Sequence, residues 1–221
     1  SANGQVDVVN HNGLVEVIAG SGGQVEVRAE RIAHANTDEA AKQFLKEMEI
    51  KTEADADHVR IETVRVSTSG LSRRAEVRYF LKVPATVSVR LRNTNGGITV
   101  AGLQGGVKAE TTNGGVRGRD LSGAIEAGST NGGVTLEVDA IARGGIRAET
   151  TNGGVDLTIP ENAAADLEAT CVNGAVAVRG LTVDGESSRK RVDGRINGGG
   201  PRVSLETTNG GIRVNAGPAS K

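Results

Sequence analysis

Aromatic residues are almost missing from this chain: among 221 residues there is no tryptophan, one tyrosine and two phenylalanines. Rings supply much of the buried area of an ordinary globular core, so this core must be thin and built from Val, Ile, Leu and Ala. Proline is scarce as well, at 4 residues against 32 glycines. Glycine in excess without proline excludes a collagen-like rod or a proline-rich linker. A lone cysteine, Cys171, excludes an intrachain disulfide and so a disulfide-stapled scaffold. Acidic and basic side chains nearly cancel, 27 against 26, which leaves no electrostatic footprint for nucleic acid or an anionic membrane surface. No run of about 18 apolar residues exists to span a membrane. The opening SANGQVDVVN has no basic region followed by an apolar stretch, so any signal peptide or anchor is expected to lie outside this sequence.

Familiar chemical signatures are missing too. His11, His34 and His58 stand far apart, with no HxH, HExxH or CxxC spacing, so no metal or other cofactor is expected. Neither a GxSxG elbow nor a P-loop occurs.

What the chain has in abundance is repetition. AETTNGGV occurs at 109–116 and again at 148–155, with LETTNGGI at 205–212. Aligned on Asn95, Asn113, Asn131, Asn152, Asn173 and Asn209, the first five repeats are 18, 18, 21 and 21 residues apart. Apolar residues then fall into columns: Val89, Val107, Ile125, Ile146, Leu167 and Val203 six places before the Asn, and Leu91, Ala109, Ala127, Ala148, Ala169 and Leu205 four before. Ile98, Val116, Val134, Val155, Val176 and Ile212 come three after, and Val100, Leu136, Leu157, Val178 and Val214 five after, with Gly118 the one gap. Offsets differing by two are the signature of strands with one buried face. Each repeat therefore carries two short strands, and 18 to 21 residues leave no room for a crossover helix. The expected fold is all-β: a parallel β-solenoid whose rungs stack about 4.8 Å apart, with three-residue insertions in the turns.

The same grammar opens the chain. NGQVDV, NGLVEV and GGQVEV at 3–8, 12–17 and 22–27 read as rungs or half-rungs. The period changes only at 37–48, where Ala40, Ala41, Phe44, Leu45 and Met48 share one helical face. Asn36 and Glu39 resemble a capping box there, and the helix is expected to lie on the flank or cover an open end. HVRIETVRV and AEVRYFLKV read as longer strands around a turn, and GESSRKRVDG at 185–194 as a basic loop. The whole is expected to be one domain over 1–216 with a short tail at 217–221.

Stacked corners assign roles to the repeated phrase. Asn tolerates the left-handed conformation and Gly supplies it freely, so Asn-Gly is expected to turn the corner while Asn95, Asn113, Asn131, Asn152, Asn173 and Asn209 form an amide ladder. Asn93, Thr111, Ser129, Thr150, Cys171 and Thr207 point inward by parity, with Cys171 a threonine-sized filler. Five places before the Asn stand Arg90, Lys108, Glu126, Arg147 and Glu168, whose signs alternate from Lys108 onward. That outward column is expected to pair across rungs.

Competing repeat folds fare poorly. The nonapeptide calcium roll needs GGxGxDxUx in every turn, and only GGVRGRD, ending at Asp120, comes near it. A carbohydrate-active β-helix enzyme needs paired carboxylates, yet no ring stands in the regular rungs to hold a sugar. An ice-binding face on Thr94, Thr112, Thr130 and Thr151 is spoiled by Arg92, Glu110 and Glu149 beside it.

YFLKVPATVSVRLRNTNGGITV, the Asn-Gly-Gly rungs and the closing GRINGGGPRVSLETTNGGIRV resemble a bacterial domain-of-unknown-function family of putative adhesins. AERIAHANTDEAAKQFLKEMEIKTEADADHVRIE, as strand, short helix and strand, is similar to the same family. The resemblance covers nearly the whole chain. It implies a right-handed parallel β-solenoid in an extracytoplasmic bacterial protein, periplasmic, secreted or envelope-anchored, and it brings no catalytic residues. The expectation is a non-enzymatic, monomeric adhesion or envelope module meeting an unknown surface protein or polysaccharide. A self-associating scaffold and a carbohydrate-active enzyme are the alternatives.

Overall fold

Period-two alternation persists through the chain as alternating burial, as in Val89 to Asn93, where every second side chain is buried. A computed structural model describes residues 4–64 and 74–218. The strands begin with β1 (Gln5–Asn12), β2 (Val15–Gly20) and β3 (Glu26–His34); after helix α1 (Asp38–Glu47) come β4 (Ile50–Ala54), β5 (His58–Thr63) and β6 (Arg74–Pro84). The regular middle holds β7 (Ser88–Asn95), β8 (Ile98–Ala101), β9 (Val107–Asn113) and β10 (Val116–Leu121). It continues with β11 (Ile125–Asn131), β12 (Val134–Val138), β13 (Ile146–Asn152) and β14 (Val155–Pro160). Last come β15 (Ala165–Asn173), β16 (Val176–Arg179), β17 (Val183–Ser187), β18 (Arg191–Ile196), β19 (Arg202–Asn209) and β20 (Ile212–Gly217).

Two sheets stack the rungs. The 11-stranded sheet runs β17-β18-β15-β19-β13-β11-β9-β7-β1-β5-β4, and the 9-stranded sheet runs β16-β20-β14-β12-β10-β8-β2-β6-β3. Each rung gives one strand to each sheet, and neighbouring rungs pair in parallel and in register, as in Asn95↔Asn113 and Val116↔Val134. This is the β-solenoid expected from the repeat. The inward columns of both sheets meet in one apolar core, whose members open partly toward the ends of the stack, as at Val176 and Val178 on the last rung and Val59 on the first-stacked one.

Stacking order departs from chain order at both ends. The first rung, β1/β2, lies between β5/β6 and β7/β8, and the last, β19/β20, lies between β13/β14 and β15/β16. Asn173 therefore neighbours Asn209, and Asn209 neighbours Asn152. The intervening segment explains the detour. Residues 185–194, expected as a loop, form most of an antiparallel hairpin in which β18 pairs with β15 and β17 with β18. Val192 and Ile196 bury themselves against the core, and Ser188 closes the turn with its amide on Arg191 O at 2.7 Å. At the other end GGQVEV forms no rung: β3 runs antiparallel to β6, largely exposed, because no further rung lies beyond it to bury its valines. β4 is likewise antiparallel, on β5. Antiparallel covers of this kind interrupt the template that a parallel edge offers to another chain.

Helix α1 packs on β3 and buries Phe44, with Met48 just beyond its end. Its N-cap is Thr37, not Asn36: extended Thr37 accepts from the Ala40 amide at 3.2 Å. The turn expected after HVRIETVRV falls at 65–73, outside the described residues. β5 and β6 on either side of it form one rung.

Three-residue insertions do sit in turns, at Ala142–Gly145 and Pro160–Ala163, each closed by a backbone hydrogen bond. The gap at Gly118 is filled by a bulge. Asp120 takes φ 53, the register slips between Gly118 and Leu121, and the Leu121 side chain turns into the space over Gly118.

The corner itself differs from the expectation. Asn95, Asn113, Asn131, Asn152, Asn173 and Asn209 are the last residues of their strands, and the non-glycine residues with positive φ among those described are Asp120 and Asn197. Glycine alone makes the turn, and its need is steric: a Cβ on Gly114 would lie 2.2 Å from the Gly96 carbonyl oxygen of the next rung, and one on Gly132 would lie 2.1 Å from that of Gly114.

Candidate functional site

Holding the Asn in the strand aims its side chain along the stack. Each amide nitrogen donates to the Oδ1 of the next rung: Asn95 to Asn12 at 2.7 Å, Asn113 to Asn95 at 2.8 Å, Asn131 to Asn113 at 2.9 Å and Asn152 to Asn131 at 2.8 Å. Asn209 then donates to Asn152 at 2.8 Å and Asn173 to Asn209 at 2.9 Å. The ladder thus gains Asn12, which the sequence reading left out. The signal was present in Asn10-His11-Asn12-Gly13, which matches Asn93-Thr94-Asn95-Gly96.

Inside the corner runs a second ladder. Thr111 Oγ1 donates to Gly96 O at 2.9 Å, Ser129 to Gly114 O at 2.8 Å, Thr150 to Gly132 O at 2.7 Å and Thr207 to Gly153 O at 2.8 Å. Asn93 makes the same link to Gly13 O at 2.7 Å through its amide. These side chains are buried and they satisfy turn carbonyls, so they are more than the fillers parity suggested. Cys171 occupies the same column, buried beside Thr207.

The outward charge column is brought together only in part. Lys108 Nζ sits 2.7 Å from Glu126 and 3.2 Å from Glu110, and those hydrogen bonds, Glu126 first, hold its ammonium above the usual range. Arg147 pairs instead with Glu149 of its own strand at 3.0 Å. Glu168 is not its neighbour: the inserted β19 puts Ser204 beside Arg147, and Glu168 pairs with Arg202 and Arg191 at 2.6 and 3.2 Å. Arg90 stands in register between Asp7 and Lys108. All of these pairs are exposed or half-exposed and contribute little individually.

Beside that column the outward face of the larger sheet is concave. A shallow groove of about 770 Å³ runs across six rungs, from Arg92 to Val172. One wall is a row of exposed threonines, Thr112, Thr130, Thr151 and Thr208, at about the 4.8 Å rung spacing, and exposed Thr94 continues the row beyond the groove. Its floor is Glu110, Gly128, Glu149 and Glu206, and Gly128 leaves a gap at the centre of the floor. Glu206 and Thr208 join this surface only because β19 is inserted, which no spacing in the chain betrays. Glu110 and Glu149 flank the gap two rungs apart, which places their strands about 9.6 Å from one another. Each carboxylate is engaged by cations, Glu110 by Lys108 and by Arg92 at 3.5 Å, and Glu149 by Arg147. Among the described residues no cluster of His, Cys, Asp and Glu could hold a metal ion, and no helix is long and apolar enough to cross a membrane.

Stacked parallel rungs, a corner ladder and one grooved polar face define a β-solenoid repeat protein. The family model described as Toastrack, DUF4097, matches residues 4–215, and the chain belongs to that family. It is similar in structure to a putative cell adhesion protein from Clostridium sporogenes, at 14% identity and a TM-score of 0.49 over 98% of this chain and 94% of that one. It is also similar to a putative adhesin from Bacteroides fragilis, at 12% identity and a TM-score of 0.42 over 96% and 92% of the two chains. No curated protein matches the sequence.

Proposed function

We propose that the chain is a non-enzymatic surface-interaction module of the bacterial envelope, an adhesin, working outside the cytoplasm. Its binding surface is the groove on the larger sheet. The observation that carries this reading is the groove's form: it is open, polar and periodic over consecutive rungs, whereas an active site gathers a few groups in a concave, water-excluding pocket. A surface of repeated hydroxyls and carboxylates suits an extended polar partner laid along the stack, touching each rung in the same way. Self-assembly end to end is the weaker reading, because antiparallel strands cover both ends of the larger sheet.

The test is binding of the labelled protein to arrays of bacterial surface polysaccharides and matrix proteins. The double variant Thr112→Arg, Thr151→Arg places two cations on exposed positions of the groove and leaves the core untouched. Loss of capture with an unchanged Tm supports the reading. Capture that survives the double substitution, or turnover of any glycan on the array, overturns it.

A further inference from the structure

Seven Asn-Gly pairs in one ladder raise a chemical question. In an Asn-Gly sequence the glycine amide nitrogen can attack the asparagine Cγ: an N–C bond forms, ammonia leaves, and water opens the resulting ring to aspartate or isoaspartate. Glycine favours this because it carries no side chain to block approach, and asparagine counts among the thermolabile residues. The fold answers the question rung by rung.

At six of the seven pairs the attacking N–H is occupied. Gly13 N donates to Asn95 O at 2.8 Å, Gly96 N to Asn113 O at 2.8 Å, Gly114 N to Asn131 O at 3.0 Å and Gly132 N to Asn152 O at 2.9 Å. Gly153 N and Gly210 N do the same towards Asn209 and Asn173, at 2.9 and 3.0 Å. Asn95, Asn113, Asn131, Asn152 and Asn209 are also held at both ends of the side-chain amide by the ladder.

Asn173 ends the stack. Hairpin pairing over β15 reaches Thr170, and one more bond, Cys171 N to Lys190 O at 2.9 Å, extends it. The cover resumes only at Val176 N, which donates to Arg189 O at 2.9 Å. Between them Val172 is 54% exposed, Asn173 is exposed, and the Gly174 N–H has no partner among the described residues. Asn173 Oδ1 accepts no ladder bond, and only its Nδ2 is engaged, by Asn209. The exposed Asn197-Gly198 turn is different. There Asn197 Nδ2 spends both hydrogens on Glu161 O and Ala163 O, at 3.0 and 2.9 Å, which holds the side chain away from its own backbone.

We propose that Asn173 is a site of spontaneous deamidation in the folded protein, and that the stack protects the other rungs. The product removes the one bond that ties the last corner to the ladder and sets a carboxylate against Asn209 Oδ1. This loosens the end rung while leaving the interior intact.

Incubation of the folded protein in mildly alkaline buffer, followed by tryptic mapping, tests the proposal. One peptide, residues 148–179, carries both Asn152 and Asn173, so fragmentation compares the two in the same spectrum. Interior rungs must open before they react, so Asn152 is expected to be slower than Asn173 by more than about tenfold. In urea the two rates should converge. The Asn173→Gln variant, folded, should lose the early mass gain on this peptide and the isoaspartate detected by enzymatic methylation. Equal folded-state rates at Asn152 and Asn173, or no reaction at Asn173 over a period that modifies the unfolded chain, overturns the proposal.

Discussion

Leu121 occupies the space that a side chain on Gly118 would need: a Cβ there would stand 2.7 Å from Leu121 Cδ1 and 2.9 Å from Leu136 Cδ2. The column's one apolar gap is thus filled from three residues further along, through the bulge at Asp120. Gly118→Ala should destabilise by about 1–3 kcal/mol through overpacking. Leu121→Ala should cost about 2–5 kcal/mol by leaving a cavity. In the double variant the new methyl enters the space that Leu121 vacates, so the loss should fall below the sum of the two singles. Urea unfolding of the four proteins checks this. Simple additivity would mean that the two positions do not share a space.

The two glycines of the Asn95-Gly96-Gly97 corner should respond unequally to alanine. A Cβ on Gly96 would lie 2.1 Å from the Gly13 carbonyl oxygen, which is backbone and cannot move aside. On Gly97 the nearest atom is Gly115 O at 3.4 Å, an ordinary contact. Gly96→Ala is expected to abolish soluble folded protein or to cost more than about 3 kcal/mol, against less than about 1 kcal/mol for Gly97→Ala. Circular dichroism and urea titration distinguish the two. The chain makes the same experiment on itself, for the first glycine persists in Asn12-Gly13-Leu14 and Asn173-Gly174-Ala175 while the second is replaced.

The asparagine ladder predicts a charge effect between true neighbours. Asn113 and Asn131 are directly bonded, while Asn113 and Asn152 are separated by Asn131. Asn131→Asp loses the donor to Asn113 and should cost about 1 kcal/mol. Asn113→Asp with Asn131→Asp places two carboxylates on adjacent rungs. The double loss should then exceed the sum at pH 7 and shrink toward it as acid neutralises the pair. A coupling that does not change with pH would remove the charge explanation.

The repeats show where sequence reading succeeds and where it stops. Val107, Ala109, Val116 and their counterparts declared the buried columns, because strand parity is local and the core reads only one face. Stacking order was not legible, because it depends on which rung lies beside which. β13 has the same inward pattern whether β15 or β19 comes next, so Glu168 was placed beside Arg147 in error. The groove inherits that ignorance, since Glu206 and Thr208 reach it only through the inserted rung. Residues 185–194 misled for a different reason. Their charges read as a loop, yet an end hairpin needs only Val192 and Ile196 to face the core.

At the other end of the core a polar chain predicts behaviour in alkali. Thr63 Oγ1 donates to Asn10 Oδ1 at 3.0 Å, so the buried Tyr79 hydroxyl donates to Thr63 at 2.7 Å. Burial raises the phenol's pKa above its ordinary value. The unfolded phenol ionises near its ordinary pKa of about 10. Above that pH the unfolded state sheds a proton that the folded state keeps, so the contribution is complete below about pH 10 and is lost as pH rises beyond it. Tyr79→Phe should reduce the alkaline fall in stability and cost about 1 kcal/mol at neutral pH. The half-exposed Lys108 pair adds a slope of its own that this variant leaves in place. An alkaline limb identical in both proteins would show that Tyr79 does not titrate on unfolding.

Cys171 offers the opposite test, an improvement. Every other corner from Asn113 to Asn209 places a hydroxyl in this column, where it donates to the turn carbonyl of the next rung. By register the carbonyl facing Cys171 is that of Gly210, because Cys171 aligns with Thr207. A thiol is a weak donor, so Cys171→Thr should add a hydrogen bond of the kind its neighbours make. The expected gain is about 0.5–1.5 kcal/mol, read as a higher urea midpoint with an unchanged m value. Cys171→Ala separates packing from hydrogen bonding. It keeps a small side chain but supplies no donor, so it should fall below both the native protein and the threonine variant. A threonine variant no better than alanine would mean that the end rung is too loose to hold the bond, with the second ladder ending at Thr207.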